Sequence, residues 1–451
     1  MNDEEAMTTP YWLRISPAFL REKLRNRHNL QKIISNMVWL FIDKALRMGV
    51  GLFIGAWVAR FLGPEEFGML SYSIAFAALF SPIASLGLDS IVVRDIVRDP
   101  SAQENTLGSA FGLQIAGGTM AFFLAVGVAY LTRRGEALTC WLVGIAAAGM
   151  IVQALDIIDF WFQSQIQSRY VVMARNAAFI FVSILRVVLI IFQAPLLAFA
   201  LAGLLEIMIA SSGLLLAYRS RGLQIASWRC EMSRARVLLR DSWPLMLSSI
   251  VGIIYLRIDQ IMIGNLVGDA EVGIYAAAVR LAEVWYFIPM SVLSSVLPSI
   301  VTAKSTNEDL FLSRLQKLYN WMSFMSYAIA IPTTFLAKWV VSILFGPGYA
   351  RAGPMLAALI WAGLFVNLGV ARSSFLTANN WTGVAFFCNL IGCISNIGLN
   401  LFLIPRFGGM GAVMASLFSY WLAAHGSCYF YRPMFRTGNM MLKSMVYPRI
   451  W

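Results

Sequence analysis

The sequence has little charge for its length. Only 13% of its 451 residues are Asp, Glu, Lys or Arg, whereas 59% are hydrophobic and the mean hydropathy is +0.70. Soluble domains carry roughly 25% charged residues, so this composition excludes a soluble protein and predicts an integral membrane protein. The apolar runs are long and continuous, without the alternation that a membrane β-barrel requires. The fold class predicted is therefore all-α.

The sequence also lacks the motifs of common catalytic and metal sites. It has two histidines and five cysteines, an odd number without a CxxC pair, so no metal site is indicated. Walker, kinase and hydrolase motifs are absent. Residues 1–32 lack the apolar core and cleavage site of a signal peptide. We therefore expect a protein that is not an enzyme, holds no cofactor and does not use ATP directly.

Twelve apolar spans are predicted along the chain. They cover residues 33–59, 67–87, 107–131, 138–160, 170–193, 196–218, 243–264, 273–300, 318–344, 353–376, 382–403 and 409–431. With the N-terminus inside, 22 of the 35 basic residues fall in inner segments and 5 in outer ones. Because cytoplasmic loops of membrane proteins are enriched in Lys and Arg, both termini are predicted to be cytoplasmic. This bias accounts for the net charge of +12 without a nucleic-acid partner.

A polar turn recurs within the apolar sequence at an offset of 205 residues. Residues 62–69 align with residues 267–274, and the three identities pair Gly63, Glu66 and Gly68 with Gly268, Glu271 and Gly273. A proline interrupts the helix that follows each copy, at Pro82 and Pro289. Repeated halves are common in secondary transporters. We therefore predict two pseudo-symmetric six-helix lobes around a central cavity.

The predicted domains follow from this repeat and from the basic segments. They are a cytoplasmic basic tail (1–32), an N-terminal six-helix lobe (33–218), a cytoplasmic basic linker (219–242), a C-terminal six-helix lobe (243–431) and a cytoplasmic tail (432–451).

Ionisable residues inside the predicted spans are the main candidates for function, because charge in a bilayer is costly and usually faces a cavity or a partner. Four arginines are predicted to line the cavity: Arg47, Arg186, Arg257 and Arg280. Four carboxylates are candidates for binding a coupling ion: Asp43, Asp259, Glu206 and Glu283. For any single pair, a structural ion pair between helices is an equal alternative. For the whole set, a hydrated cavity is the favoured interpretation.

Aromatic residues on the charged spans are candidates for stacking against sugar rings. They are Trp39, Tyr72, Tyr255, Trp285 and Tyr286. Core packing or a place in the interfacial aromatic belt is the alternative for each. Near the inner ends of spans, Asp156 and Asp159 are predicted to pair with Arg175. Residues 94–99 are predicted to form a solvated loop face.

Three blocks of the sequence resemble Wzx-type flippases, the polysaccharide-export members of the multidrug/oligosaccharidyl-lipid/polysaccharide exporter superfamily. They are VARFLGPEEFGMLSYSIAFAALFSPIASLGLDSIVVRDI (58–96), LFGPGY (344–349) and NIGLNLFLIPRFGGMGAVMAS (396–416). The resemblance implies two six-helix lobes in a V, whose cavity is lined by spans 1, 2, 7 and 8. It also implies alternating access that is coupled to an ion gradient.

The substrate that the resemblance implies is an undecaprenyl-pyrophosphate-linked oligosaccharide, such as an O-antigen or exopolysaccharide repeat unit. The protein would move it across the bacterial inner membrane, with H+ or Na+ as the coupling ion. Membrane lipid, a polysaccharide polymerase and chain-length machinery are the partners implied. The four candidate arginines suit a pyrophosphate, since a guanidinium pairs with phosphate oxygens in a planar fork.

Three other functions are weighed against this one. A drug or cation antiporter of the same superfamily is disfavoured, because the candidate arginines would repel cations. A membrane polysaccharide polymerase usually carries a large outer loop, whereas the predicted outer loops are short. A scaffold without transport activity is disfavoured by the set of charges inside the membrane.

Overall fold

The computed structural model describes the backbone of residues 28–448, and the side chains of residue 44 and of residues 46–448. Within this part of the chain the regular structure is helical, without a strand. The first eight α-helices are α1 (His28–Ala78), α2 (Ser81–Ser85), α3 (Asp89–Arg98), α4 (Gln103–Thr132), α5 (Ala137–Val152), α6 (Ile157–Ser164), α7 (Ser168–Ile191) and α8 (Leu196–Arg219). The others are α9 (Met232–Leu266), α10 (Asp269–Glu283), α11 (Phe287–Thr306), α12 (Glu308–Leu344), α13 (Ala352–Leu359), α14 (Ala362–Ala378), α15 (Thr382–Phe407), α16 (Gly409–Ala424) and α17 (Phe435–Val446).

Ten segments of the described chain are long and apolar enough to cross a membrane. The predicted spans 33–59 and 67–87 both overlap the first segment, Leu46–Arg98, which contains two helices that meet at a kink at Gly63. The predicted last span, 409–431, contains the shorter apolar helix α16. Each of the other predicted spans overlaps one segment. The protein is therefore an all-helical, multi-pass membrane protein.

The two copies of the repeated turn follow the same backbone path. Gly63 interrupts α1 with φ 74° and ψ 172°, and Gly268 precedes α10 with φ 128° and ψ 170°. This region of φ is accessible to glycine at little cost and is unfavourable for other residues. Helix α1 then ends at Ala78 and α10 at Glu283, again 205 residues apart. The sequence repeat therefore corresponds to a repeat in helix geometry.

The two copies also touch each other, where α10 packs along α1. A Cβ atom at Gly68 would overlap the backbone of Asp269, and one at Gly273 would overlap the backbone of Pro64. Pro64 and Asp269 are themselves related by the offset of 205 residues. The contact is therefore symmetric, because each copy places its glycine against the equivalent backbone of the other copy. It depends on small residues that let two helix backbones approach closely.

Residues 94–99 belong mostly to helix α3 and are not the solvated loop face that the sequence predicts. Arg94 pairs with Asp241 at 2.6 Å, and Arg234 pairs with Asp95 at 2.9 Å. Asp95 is only 7% exposed. Arg94, Arg98 and Asp99 are exposed as predicted, so the prediction is wrong only for the loop and for Asp95. Asp95 is buried because the basic linker and the start of α9 fold back onto α3, and a charge pattern that is local in sequence does not show this contact.

Candidate functional site

Charged side chains from three helices meet at one carboxylate. Arg186 of α7 pairs with Glu206 of α8 at 3.0 Å, and Arg47 of α1 lies 3.9 Å from the same carboxylate. The guanidinium carbon of Arg47 also lies 5.3 Å from the ring centre of Phe179. Glu206 is therefore shared between two arginines.

A second group of charges lies on α9 and α10. Arg257 pairs with Glu283 at 3.9 Å. Arg280 precedes Glu283 by one helical turn, but no ion pair with Glu283 or with another described side chain forms within 4 Å. Arg280 lines one cavity together with Arg186 and Glu206. Arg280 therefore lies between the two groups, and Glu283 pairs with Arg257 of the neighbouring helix instead of with Arg280 of its own helix.

The position of Arg280 depends on a glycine in α1. A Cβ atom at Gly55 would overlap the guanidinium of Arg280. The guanidinium thus lies directly against the backbone of α1, at a point where no side chain stands between them. Arg280 remains accessible to solvent even though protein surrounds it on most sides. A side chain in this situation lines a cavity instead of the outer surface.

Some of these charges line a cavity of about 490 Å³ that is enclosed by α1, α5, α7, α8 and α10. Arg186, Glu206 and Arg280 contribute charge to its lining, whereas most of its wall is apolar. Within the cluster formed by these arginines and glutamates, the three lining residues carry a formal charge of +1, and Arg47, Arg257 and Glu283 are not among the lining residues. The cluster can therefore attract an anion that has an apolar part, such as a lipid phosphate.

Asp259 lies apart from the arginines in a buried polar pocket. It is 4% exposed and accepts hydrogen bonds from Tyr275 Oη at 2.7 Å, Asn400 Nδ2 at 2.6 Å and Ser416 Oγ at 2.6 Å. Asn396 Oδ1 accepts a further hydrogen bond from Asn400 Nδ2 at 3.0 Å. Among the described residues, Asp259 has no ion pair. The pocket thus surrounds a single carboxylate with two hydroxyl groups and an amide that donate hydrogen bonds to it.

The aromatic candidates differ in their surroundings. Tyr72 is fully buried, and the guanidinium of Arg133 covers its ring at 4.3 Å, so this conformation leaves no room for a sugar. Tyr255 packs edge-on against Tyr420. Trp285 is 40% exposed and Tyr286 is half-buried, so their rings are accessible. The side chains of Trp39 and Asp43 lie outside the described residues.

The Gly63 and Gly268 turns lie at one end of the helix assembly, which we call the turn end. The sequence did not predict the polar contacts at this end. Arg133 pairs with Asp269 at 3.1 Å and donates a hydrogen bond to Asn265 Oδ1 at 3.1 Å. Tyr349, within the segment LFGPGY, donates a hydrogen bond to the backbone oxygen of Ala59 at 2.7 Å. These contacts join segments that are more than 130 residues apart, and no local pattern predicts them.

Two other signals were present in the sequence. The predicted interhelical pairs are confirmed, since Arg175 lies 3.2 Å from Asp156 and 2.9 Å from Asp159. The pocket around Asp259 could have been found as well. Asn396 and Asn400 are four residues apart in an apolar span, and this spacing places two polar side chains on one helix face.

Comparison with known proteins gives the family. The sequence profile of the polysaccharide biosynthesis protein family matches residues 57–354. A probable low-salt glycan biosynthesis flippase of Haloferax volcanii is 26% identical over 194 residues, or 42% of this chain and 40% of the relative. The chain therefore spans less than half of the length of that relative. A putative O-antigen transporter of Shigella flexneri is 21% identical over 85% of this chain and 94% of the relative.

Solved structures give the fold. An inward-facing multidrug resistance MATE transporter of the MOP superfamily has a TM-score of 0.71 at 14% identity, over 91% of this chain and 99% of the other. The lipid II flippase MurJ in an inward closed conformation has a TM-score of 0.68 at 13% identity, over 92% of this chain and 91% of the other. The chain thus has the fold of this superfamily, and it belongs to the polysaccharide biosynthesis protein family, which confirms the resemblance to Wzx-type flippases.

Proposed function

We propose that the protein is a flippase for lipid-linked oligosaccharides. Its substrate is an undecaprenyl-pyrophosphate-linked repeat unit of an O-antigen or exopolysaccharide. The observation that carries this proposal is the cavity lined by Arg186, Arg280 and Glu206, whose lining holds more positive than negative charge. Arg47 lies beside Glu206, and Arg257 lies beside Glu283. The fold and the names of the relatives support the same assignment.

The arginines act by binding the pyrophosphate in one conformation more tightly than in another. Arg47 and Arg186 come from the predicted N-terminal lobe, and Arg257 and Arg280 from the predicted C-terminal lobe. A dianionic group between them would draw the two sets together, and its release would let them separate. A ligand shifts a conformational equilibrium only through such a difference in binding, so this placement suits alternating access.

The architecture proposed for this cycle has twelve spans in two six-helix lobes, with both termini in the cytoplasm and the turn end outside. The symmetric contact of Gly68 and Gly273 supports two related lobes. The predicted domains 33–218 and 243–431 would then be the lobes. Contacts of Arg133 and Tyr349 would close the cavity on the outer side of the bacterial inner membrane.

Asp259 is the proposed site of the coupling ion. Its pocket combines one carboxylate with amide and hydroxyl oxygens, a donor set that suits a proton or Na+. Glu206 and Glu283 are paired with arginines, and their role is to limit the charge of the cluster. Asp43 stays a second candidate. Polysaccharide polymerase and chain-length machinery are the proposed partners downstream.

A drug antiporter is the second candidate function, because a multidrug transporter shares the fold. The excess of arginine over glutamate at the cavity disfavours cationic drugs. A polymerase lacks support in the names of the relatives, which are flippases and transporters.

The experiment is to replace Arg47, Arg257 and Arg280 singly by Ala and by Lys, and to measure surface polysaccharide and membrane protein level. A charge-assisted contact to phosphate contributes about 1.5–3 kcal/mol, so each Ala variant should bind substrate roughly ten- to a hundredfold more weakly at normal protein level. Lys should rescue only in part, because it keeps the charge but loses the planar fork. Normal polysaccharide and normal protein in all three Ala variants would contradict the proposal.

A further inference from the structure

The cavity beside the arginine cluster extends well beyond the charged groups. Its wall includes Val58, Leu70, Ile145, Phe199 and Leu204, from α1, α5 and α8. At about 490 Å³, the space is as large as the pockets that enclose small organic ligands. The charge in its lining comes from Arg186, Glu206 and Arg280. The cavity is thus amphipathic, with a mostly apolar wall and a net positive charge among its lining residues.

We propose that this cavity is a binding subsite for the hydrocarbon segment of the lipid carrier that adjoins its phosphate groups. The inference rests on the proposed function and deepens it, since it states which part of the substrate the cavity takes. Arg280 and Arg186 contact the phosphate groups, and the first isoprene units of the carrier lie against the apolar wall.

The chemistry of the wall favours hydrocarbon over sugar. A sugar ring carries several hydroxyl groups, and each one that is buried without a partner costs free energy. Most of the wall side chains are apolar and offer no donors or acceptors, with Ser71, Ser81 and Gln153 as the exceptions. A hydrocarbon needs none, and each CH2 group removed from water favours binding by roughly fourfold. The oligosaccharide therefore lies on the other side of the arginines, in the hydrated part of the central cavity.

Gly203 gives a direct way to fill the subsite. It lines the cavity, and a Cβ atom placed there would meet no other atom within 4 Å. The matched control is Gly127 of α4, which is exposed, does not line the cavity and also has no atom within 4 Å of such a Cβ. Both lie inside membrane helices, so equal substitutions have comparable effects on helix propensity.

The experiment measures binding to the purified full-length protein in phosphatidylcholine nanodiscs. The probes are undecaprenyl pyrophosphate, inorganic pyrophosphate and dioleoyl phosphatidate, and the variants carry Ala, Leu or Phe at position 203 or at position 127. Along the series at position 203, affinity for undecaprenyl pyrophosphate should fall with side-chain volume, by at least tenfold for Phe. Affinity for inorganic pyrophosphate should stay within twofold of the parent, and the series at position 127 should bind all probes as the parent does.

Several results would overturn the inference. One such result is a Gly203→Leu or Gly203→Phe variant that has the melting temperature of the parent and the same affinity for undecaprenyl pyrophosphate. If the Phe variant fails to fold, the Leu variant decides. Phosphatidate binding as tightly as undecaprenyl pyrophosphate would assign the subsite to membrane phospholipid instead. In each of these cases, loss of undecaprenyl pyrophosphate binding in Arg280→Ala would still support the proposed function. A parent protein that binds neither undecaprenyl pyrophosphate nor inorganic pyrophosphate would contradict both proposals.

Discussion

At the scale of single residues, the contact between Arg280 and Gly55 joins the two repeats at the site itself. The guanidinium is the flexible end of a long side chain, so a methyl group at Gly55 would displace it without moving a helix backbone. Gly51, one turn earlier in α1, has only ordinary contacts, the nearest at 3.6 Å to the ring of Phe179. Comparing the same substitution at Gly55 and at Gly51 therefore distinguishes an effect on the position of Arg280 from an effect on helix stability.

We expect Gly55→Ala to reduce polysaccharide export about as strongly as Arg280→Lys, at normal membrane protein level. Gly51→Ala should export normally, because its methyl group fits and the exchange of Gly for Ala favours the helix. The measurement is surface polysaccharide against protein level in both variants. Equal export by Gly55→Ala and Gly51→Ala would show that the contact of the Arg280 guanidinium with Gly55 has no role in export.

Asp259 is the other residue whose role can be tested alone. Asp259→Asn keeps the shape of the side chain and removes the charge, so uptake in vesicles with an imposed H+ or Na+ gradient should lose its dependence on that gradient. Asp156→Asn is the control, because Asp156 pairs with Arg175 away from the pocket. Full gradient dependence in both Asp259→Asn and Asp43→Asn would remove the carboxylates proposed for ion coupling.

At the scale of helices, the close contact of α1 and α10 depends on Gly68 and Gly273. A side chain at Gly68 would meet backbone atoms of Asp269, which cannot move aside as a side chain can. We therefore expect the side chain in Gly68→Leu to force α1 and α10 apart at the turn end, so that the cavity becomes accessible from outside. In a Cys140→Ser background, a cysteine at cavity position Ser71 should then react faster with an impermeant reagent added outside.

The control for this prediction is Gly127→Leu, which adds the same side chain where no atom lies within 4 Å. Its reaction rate should equal that of the parent. An unchanged rate in Gly68→Leu, with the protein still folded, would show that this contact does not hold the turn end closed.

Local sequence predicts the helices well and their long-range polar contacts poorly. The repeat around Gly63 and Gly268 was visible because identical residues meet identical backbone demands. Clustering of the arginines followed from the cost of charge in a membrane. The pairing of Glu283 with Arg257, and the burial of Tyr72 under Arg133, depend on how distant helices pack. No single span contains that information.

At the scale of the whole molecule, orientation in the membrane can be tested with a native residue. Cys230 lies exposed in the basic linker. An impermeant maleimide should label it only from the cytoplasmic side, whereas a cysteine introduced at Glu65 should be labelled only from outside. Labelling of Cys230 from outside would overturn both the orientation and the division into two halves.

The most direct test of the central claim is a flipping assay. Purified protein is reconstituted into liposomes with a fluorescent undecaprenyl-pyrophosphate-linked oligosaccharide, and the fraction of lipid accessible to an impermeant quencher is followed under an ion gradient. The account predicts that the parent protein moves labelled lipid between leaflets and that Arg280→Ala does so at least tenfold more slowly, since about 1.4 kcal/mol of lost binding corresponds to a factor of ten. If labelled lipid in liposomes that contain folded parent protein becomes accessible to the quencher no faster than in empty liposomes, the protein is not a flippase for this lipid.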